Sequence, residues 1–430
     1  MERFLATTQS RIVNVHPDEV RAMWLGFLFN FIALTSYYVI KPVRDDIAAA
    51  GDAEKLSWMF TGTLVAMLIA NALFSAIVAR MSRRRFIPIA YRFLILNLAL
   101  FYVLMRTASP AQAVWVGRAF FVWVSVFNLF VVTVFWSFMS DVFNSEQAKR
   151  LFGFVSIGGT LGGIVGGTIT ASLVRQIGPV NLFIISALLL EGAAWCVRFF
   201  PTHFKQGTAE QKQEAERAVG GSIWAGVTHV CSSPYLLGIC GFMLVYTITS
   251  TFLYFQQADI AGHHFHDRAA RTAFFAQLDL SVNAVTIVVQ IFLTGRLLKW
   301  LGVGVCLAIM PLVTLLGFVS LALMPTIALL AFFQVTRRAM NYAISRPARE
   351  VLFTVLKRED KYKAKSLIDT FVYRGGDQIG AWSFPFLRWL GLGLAGISWS
   401  AVPLAAGWCV LSLWLGRRQA ALAGARATTD

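Results

Sequence analysis

The run FGFVSIGGTLGGIVGGTITASLV, Phe152–Val174, carries no charged side chain and sets glycine pairs at 158–159, 162–163 and 166–167. It exceeds the roughly 20 apolar residues a helix needs to cross hydrocarbon. Small residues four apart share one helix face and let a neighbouring backbone come close. A phosphate-cradling loop would need Gly-Lys followed by Ser or Thr, which is absent. The run reads as a tightly packed membrane helix or a rocking hinge.

Working outward, runs of the same kind recur along the chain. The candidate spans are Val20–Ile40, Ser57–Ala79, Phe86–Arg106, Ala113–Met139, Phe152–Val174 and Val180–Phe200. After a polar stretch come Pro234–Gln256, Ala273–Thr294, Val303–Met324, Thr326–Tyr342, Ser366–Trp389 and Leu392–Leu415. The predicted fold is an all-α integral membrane protein with twelve transmembrane helices. Residues 1–200 form one six-helix half, 201–221 a cytoplasmic linker, and 222–430 the second half, with Ser222–Cys231 a short interfacial helix. Composition agrees. Of 430 residues, 57% are hydrophobic and 14% charged, and the mean hydropathy is +0.64. Soluble domains average about 45–50% apolar and about 25% charged. Disordered, fibrous and disulfide-stapled secreted proteins are excluded, and a soluble enzyme is disfavoured by the apolar surface it would expose.

The net charge of +16 finds its explanation in topology. With the termini and every second loop on one side, that side holds Lys and Arg in excess by roughly three to one. Both termini are therefore expected in the cytoplasm, in a bacterial inner membrane, with no signal peptide. The bilayer is the expected macromolecular partner, with no nucleic acid polymer, and the chain is expected to be a monomer. Cys196, Cys231, Cys240, Cys306 and Cys409 have no ligand spacing and read as small apolar residues. His263, His264 and His266 read as an outer solvated loop. No metal, cofactor or enzymatic constellation is expected.

Charges inside the spans are the informative residues, because each costs about 2.5–3.5 kcal/mol on insertion scales and persists by pairing or by lining a wet cavity. The bases are Arg92, Arg118, Arg337, Arg338 and Arg374, with Lys41 and Arg44 at the end of the first span. The acids are Glu191, Asp279 and Asp377, with Asp369 near the inner end of the eleventh span. Bases outnumber acids, and a planar guanidinium suits a carboxylate or phosphate. One of the adjacent Arg337 and Arg338 is expected to face a cavity, while the other snorkels or pairs with Asp279 or Glu191. Arg92 and Arg118, near span ends, are equally suited to snorkelling or to the cavity. Arg374 and Asp377, three apart, suit either a substrate site or a simple ion pair on one helix face.

Three stretches carry a family resemblance. Tyr38–Asp46 (YVIKPVRDD), Val134–Phe152 (VFWSFMSDVFNSEQAKRLF) and Lys365–Arg374 (KSLIDTFVYR) resemble signature segments of the ATP:ADP antiporter family, the nucleotide carriers of intracellular bacteria and plastids. A faint repeat of Phe135–Gly159 in Leu352–Gly376 resembles the two-half plan of major facilitator transporters. Two departures stand out. Asp377 occupies the place of a Lys found in transporting members, and Val122–Phe138 lacks their acid. The chain resembles a shorter, divergent bacterial branch.

The expected function is secondary transport by alternating access, exchanging organic anions of the nucleotide type through a basic central cavity. Lys41, Arg44, Asp45, Arg337, Arg338, Arg374 and Asp377 are the substrate-binding candidates. Arg83, Lys149, Arg150, Lys365 and Asp369 are gating or loop candidates, and Glu191 and Asp279 are coupling candidates. The alternatives are a proton-coupled symporter of another solute, or a non-transport membrane protein with the carrier fold.

Overall fold

A backbone in lipid must satisfy its own hydrogen bonds, which leaves helices and closed barrels. Every regular element among the described residues of this chain is helical. The computed structural model describes residues 15–17, 19–51, 53–78, 83–143, 145–200, 233–356 and 368–427. The linker, the segment 222–231 and Lys365 lie outside them.

The helices are α1 (Val20–Ala49), α2 (Ala53–Val78), α3 (Arg83–Thr107), α4 (Pro110–Val142), α5 (Ser145–Ile177) and α6 (Leu182–Cys196). They continue as α7 (Pro234–His264), α8 (Arg268–Val289), α9 (Gly295–Leu323), α10 (Ile327–Met340), α11 (Tyr373–Trp389) and α12 (Leu394–Ala427). These answer the twelve predicted spans one for one, and a further short helix, Arg346–Leu352, lies between α10 and α11. Three single π turns interrupt the regular winding, at Gln290–Thr294, Asn341–Ser345 and Ile368–Val372. Gly302, at φ 75°, breaks α9 in the left-handed region that favours glycine. The eighth span therefore runs on from α8 through the π turn to Leu301, and the ninth begins at Val303, as its sequence predicts.

Eight stretches among the described residues are long and apolar enough to cross a membrane, and one of them, Arg268–Leu323, holds two of the predicted spans. Helices α2, α10 and α11 are not among the eight; α10 and α11 are short and carry Arg337, Arg338, Arg374, Asp377 and Arg388. Large apolar side chains face outward in numbers a soluble surface would not tolerate, among them Leu188, Phe332 and Val410, each 70% exposed. Exposed tryptophans near helix ends, Trp58, Trp115, Trp300 and Trp389, fit the aromatic belts of a bilayer interface.

The chain divides into two compact units. Unit 1 comprises Met1–Ala48, Gly62–Gln213 and Phe265–Asn283. Its core is aromatic, with Phe29, Tyr91, Phe120, Phe127, Phe135 and Phe183 fully buried. The glycine run of α5 works as its spacing predicts. A Cβ on Gly158, Gly162 or Gly166 would strike the backbone of α1, at the carbonyls of Phe27, Phe31 and Thr35 respectively. The alternate glycines turn toward other neighbours, Gly163 meeting Asn283 and Gly167 meeting Ala276 and Leu280 of α8. Unit 2 comprises Ala49–Thr61, Glu214–His264 and Ala284–Asp430. In it α9 packs along α12, and α7 packs on α11 and α12, around Phe242, Met310, Trp408 and Leu415.

Candidate functional site

Unit 2 gathers a basic and aromatic cluster from four helices. Its centre is Arg337, on the last turn of α10 and only 2% exposed. Its Nε donates to Thr314 Oγ1 at 3.1 Å on α9. On α7 its NH1 donates to Ser250 Oγ at 2.7 Å, and its NH2 to the Tyr246 carbonyl at 3.2 Å and Thr249 Oγ1 at 3.1 Å. Every one of these acceptors is neutral, and among the described residues no carboxylate lies within ion-pair distance of it. The threonines are set for this by their own backbone bonds, since Thr249 and Thr314 spend their hydroxyl hydrogens on the carbonyls of Val245 and Met310. Their lone pairs then face the guanidinium.

Two mutually tilted tyrosine rings continue from it. The Arg337 guanidinium lies 5.5 Å from the Tyr246 ring centroid. The Tyr246 and Tyr373 rings are 6.3 Å apart, and the Arg374 guanidinium lies 5.6 Å from the Tyr373 ring. Asn341 donates to the Tyr246 hydroxyl at 3.0 Å. Arg374 is 36% exposed at its side chain, and its contact with Asp377 is long, at 3.4 Å. Two guanidiniums thus flank a tyrosine pair with the Asp377 carboxylate beside Arg374. A π turn adjoins each arginine, Asn341–Ser345 after α10 and Ile368–Val372 before α11. Such turns recur at functional sites, because they re-aim side chains that a regular helix would fix. Gly376 lets α11 settle on Thr247 of α7, which brings Tyr373 to Tyr246.

The other candidates fall elsewhere. Lys41 lies in unit 1, where its ammonium donates to Asp45 and to Asp279, both at 2.7 Å. Arg44 touches Asp45 at 3.5 Å, donates to the Phe121 carbonyl and lies 4.0 Å from the Phe121 ring. Glu191 accepts from Arg92 at 2.7 Å on a half-exposed face, and Trp195 also donates to it. Neither Asp279 nor Glu191 therefore serves as the partner for Arg337 that the sequence allows. Arg118 lies over the Trp115 ring at 4.6 Å. Arg338 is partly buried beside Arg337 in sequence.

Arg150 pins the start of α5 to Glu19, just before α1, at 2.8 Å. Burial pushes the Glu19 carboxyl up, but the His16 amide, Arg150 and Gln147 outweigh it and hold it below its ordinary value. The backbones of Arg83, Lys149 and Asp369 lie in α3, α5 and the π turn before α11, and their side chains lie outside the described part of the molecule. Tyr246, Tyr373, Ser250 and Thr314 escape the sequence reading, since a hydroxyl or ring in an apolar helix carries no periodic signal. Asp46, Arg268 and Arg271 escape it too. Asp46 is buried and accepts from Arg268 at 2.9 Å and Arg271 at 2.6 Å. The only hint was the second Asp of the Asp45-Asp46 pair.

Membrane-length apolar helices mark a polytopic membrane protein. Residues 23–348 match the Major Facilitator Superfamily, and the chain belongs to that family. It is a secondary transporter of that class. No curated protein matches it in sequence. Its fold is similar to that of a bacterial homolog of the human lysosomal transporter Spinster, solved inward-facing and unoccupied. That likeness is at 14% identity over 93% of this chain and 95% of that one, with a TM-score of 0.54. A POT family transporter in complex with 5-aminolevulinic acid is similar at 10% identity over 94% and 96%, with a TM-score of 0.61. A D-xylose-proton symporter is similar at 12% identity over 92% and 96%, also at 0.61. At these identities the likeness is one of fold.

Proposed function

We propose that this transporter carries a small organic anion, and that the Arg337–Tyr246–Tyr373–Arg374 cluster of unit 2 receives it. One observation carries this reading: among the described residues the buried Arg337 guanidinium meets neutral acceptors alone, and Arg374 nearby meets Asp377 at a long 3.4 Å. Burying a charge without a counter-charge is costly, and an arriving anion lowers that cost. Tyrosine rings beside guanidiniums suit a flat substrate with an anionic group, and a nucleotide has both. Nucleotide exchange of the ATP:ADP type is the finer form of the proposal, supported by the three resemblant stretches. Asp377 argues for a less highly charged anion than transporting members carry. The topology that goes with this reading has six-helix halves 1–200 and 222–430, both termini in the cytoplasm of a bacterium, and a monomeric carrier.

A second reading, proton-coupled symport, draws support from Lys41, whose ammonium two carboxylates share. Both are tested in proteoliposomes loaded with unlabelled ADP and offered labelled ATP, with and without a proton gradient. Exchange predicts uptake that needs the internal nucleotide and survives collapse of the gradient. Arg374→Ala is expected to lower that uptake at least about a hundredfold, the loss of one charge-assisted anion contact of roughly 3 kcal/mol, with assembly unchanged. Uptake driven by the gradient alone favours the symporter. Wild-type rates in the Arg374→Ala carrier refute the site.

A further inference from the structure

Helices α3 and α6 pack side by side in unit 1, and each turns an apolar stripe outward. On α3 the stripe is Phe93, Leu96 and Leu100, and on α6 it is Ile184 and Leu188, all of them exposed. Spacings of three and four keep such residues on one helix face. At the same spacing the α6 stripe runs on to Glu191, Trp195 and Phe199, and there charge gathers. Arg92, whose side chain is 48% exposed, donates to Glu191 through Nε at 3.3 Å and NH2 at 2.7 Å. Trp195 donates to the same carboxylate at 2.9 Å. Arg198 lies over the Trp195 ring at 4.6 Å, in the short turn Val197–Phe199 that closes α6 and packs on α3. Arg21, at the start of α1, reaches the Phe199 carbonyl at 3.5 Å.

Three guanidiniums thus share one carboxylate. Among the described residues neither Arg21 nor Arg198 makes an ion pair, and the Arg92 NH1 donates to nothing. Charge on a membrane-facing surface is costly and persists by pairing. Glu191 answers one of the three cations, and the surplus lies at the end of an apolar face. Helical side chains tilt toward their own N-terminus, so Arg92 leans to the end of α3 beside Arg198, while the apolar stripes run the other way. A ligand that matches this surface carries negative charge at one end and long apolar chains at the other. Guanidiniums take phosphate through paired N–H donors, basic groups beside membrane helices take anionic headgroups, and a tryptophan ring suits the depth where headgroup meets chain.

From this we infer that the α3–α6 face of unit 1 is a binding site for one anionic phospholipid. Arg198, Arg92 and Arg21 hold its phosphate, and its acyl chains lie along Phe93, Leu96, Leu188 and Ile184. The lipid site is independent of the solute's identity. It is tested by native mass spectrometry of the full chain, delipidated in neutral detergent and titrated with phosphatidylglycerol. Phosphatidylcholine has the chains and the phosphate without net charge, and glycerol phosphate has the charge without chains. Phosphatidylglycerol is expected to bind at least about tenfold more tightly than either. Arg198→Gln, at an exposed side chain, is expected to weaken it roughly tenfold, the loss of one charge-assisted contact. Arg92→Gln with Glu191→Gln removes the unused donor without leaving a lone carboxylate, and is expected to weaken it by a similar factor. Arg175→Gln, an exposed arginine at the end of α5 beside the turn that opens α6, leaves it unchanged. Equal binding of phosphatidylcholine overturns the site, as does wild-type affinity in either site variant. Equal binding of glycerol phosphate assigns the arginines to a free phosphate and refutes the lipid. A loss in Arg175→Gln as large as in Arg198→Gln shows adsorption by net charge alone and overturns the site too.

Discussion

Lys41→Met is expected to cost about 3–5 kcal/mol of stability, read as a large fall in the apparent melting temperature of the purified carrier. The Asp45 and Asp279 side chains are 4% and 1% exposed, and both lean on this one ammonium. Taking it away removes the bond that both buried carboxylates share, and leaves Asp45 with the longer Arg44 contact at 3.5 Å. The effect follows from burying two carboxylates with less positive charge beside them rather than from the worth of one bond. The double variant Lys41→Met with Asp279→Leu is therefore expected to recover most of the loss, because an apolar pair of similar volume replaces the ion pair. A double variant as unstable as the single one would show that the bridge is not what holds this place together.

Gly162→Leu is expected to be worse still, with folded protein lost on expression. Any side chain at this position meets the Phe31 carbonyl and the Thr35 backbone of α1, and a backbone cannot step aside as a flexible side chain can. Overpacking typically costs about 1–3 kcal/mol and more where nothing yields. Here it separates two helices along their length. Gly153→Leu on the same helix is the control, since nothing lies within 4 Å of that position. It is expected to leave the yield near wild type. Equal loss from both would contradict the α1–α5 approach as the cause, since leucine is the better helix former at either position.

These two cases mark where the sequence was legible. The glycine spacing of α5 announces a close packing face in the one-dimensional string, because residues four apart share a face whatever the neighbour is. Span positions are legible for a related reason: lipid permits only apolar helices, so hydropathy and structure are nearly the same information. Gly302 falls just before the ninth predicted span, while the eighth runs on past its predicted end at Thr294. The ends were less legible. Helix α1 runs to Ala49 rather than stopping near Ile40, because Lys41, Arg44, Asp45 and Asp46 all find contacts that let a charged turn stay folded and inside.

Partners were the illegible part. The sequence singles out Asp279 and Lys41, but nothing in it joins residues 238 positions apart. It likewise names Arg337 and Arg374 as surplus bases, and both are in the candidate site. The tyrosines that connect them are ordinary aromatic residues in an aromatic-rich chain. Which acid meets which base depends on helix rotation and on the π turns, and neither leaves a mark in composition or period.

Anion recognition by unit 2 is tested most directly by the thermal stability of the purified carrier against nucleotides, simple phosphate esters, carboxylates and neutral sugars. A solute at about 100 times its dissociation constant stabilises the folded state by about 2.7 kcal/mol. The prediction is that at least one planar anion gives such a shift, that sugars give none, and that Arg337→Gln abolishes it while Asp377→Lys strengthens it for nucleotides. Stabilisation by a neutral or cationic solute, with no anion active and Arg337→Gln indistinguishable from wild type, would contradict it.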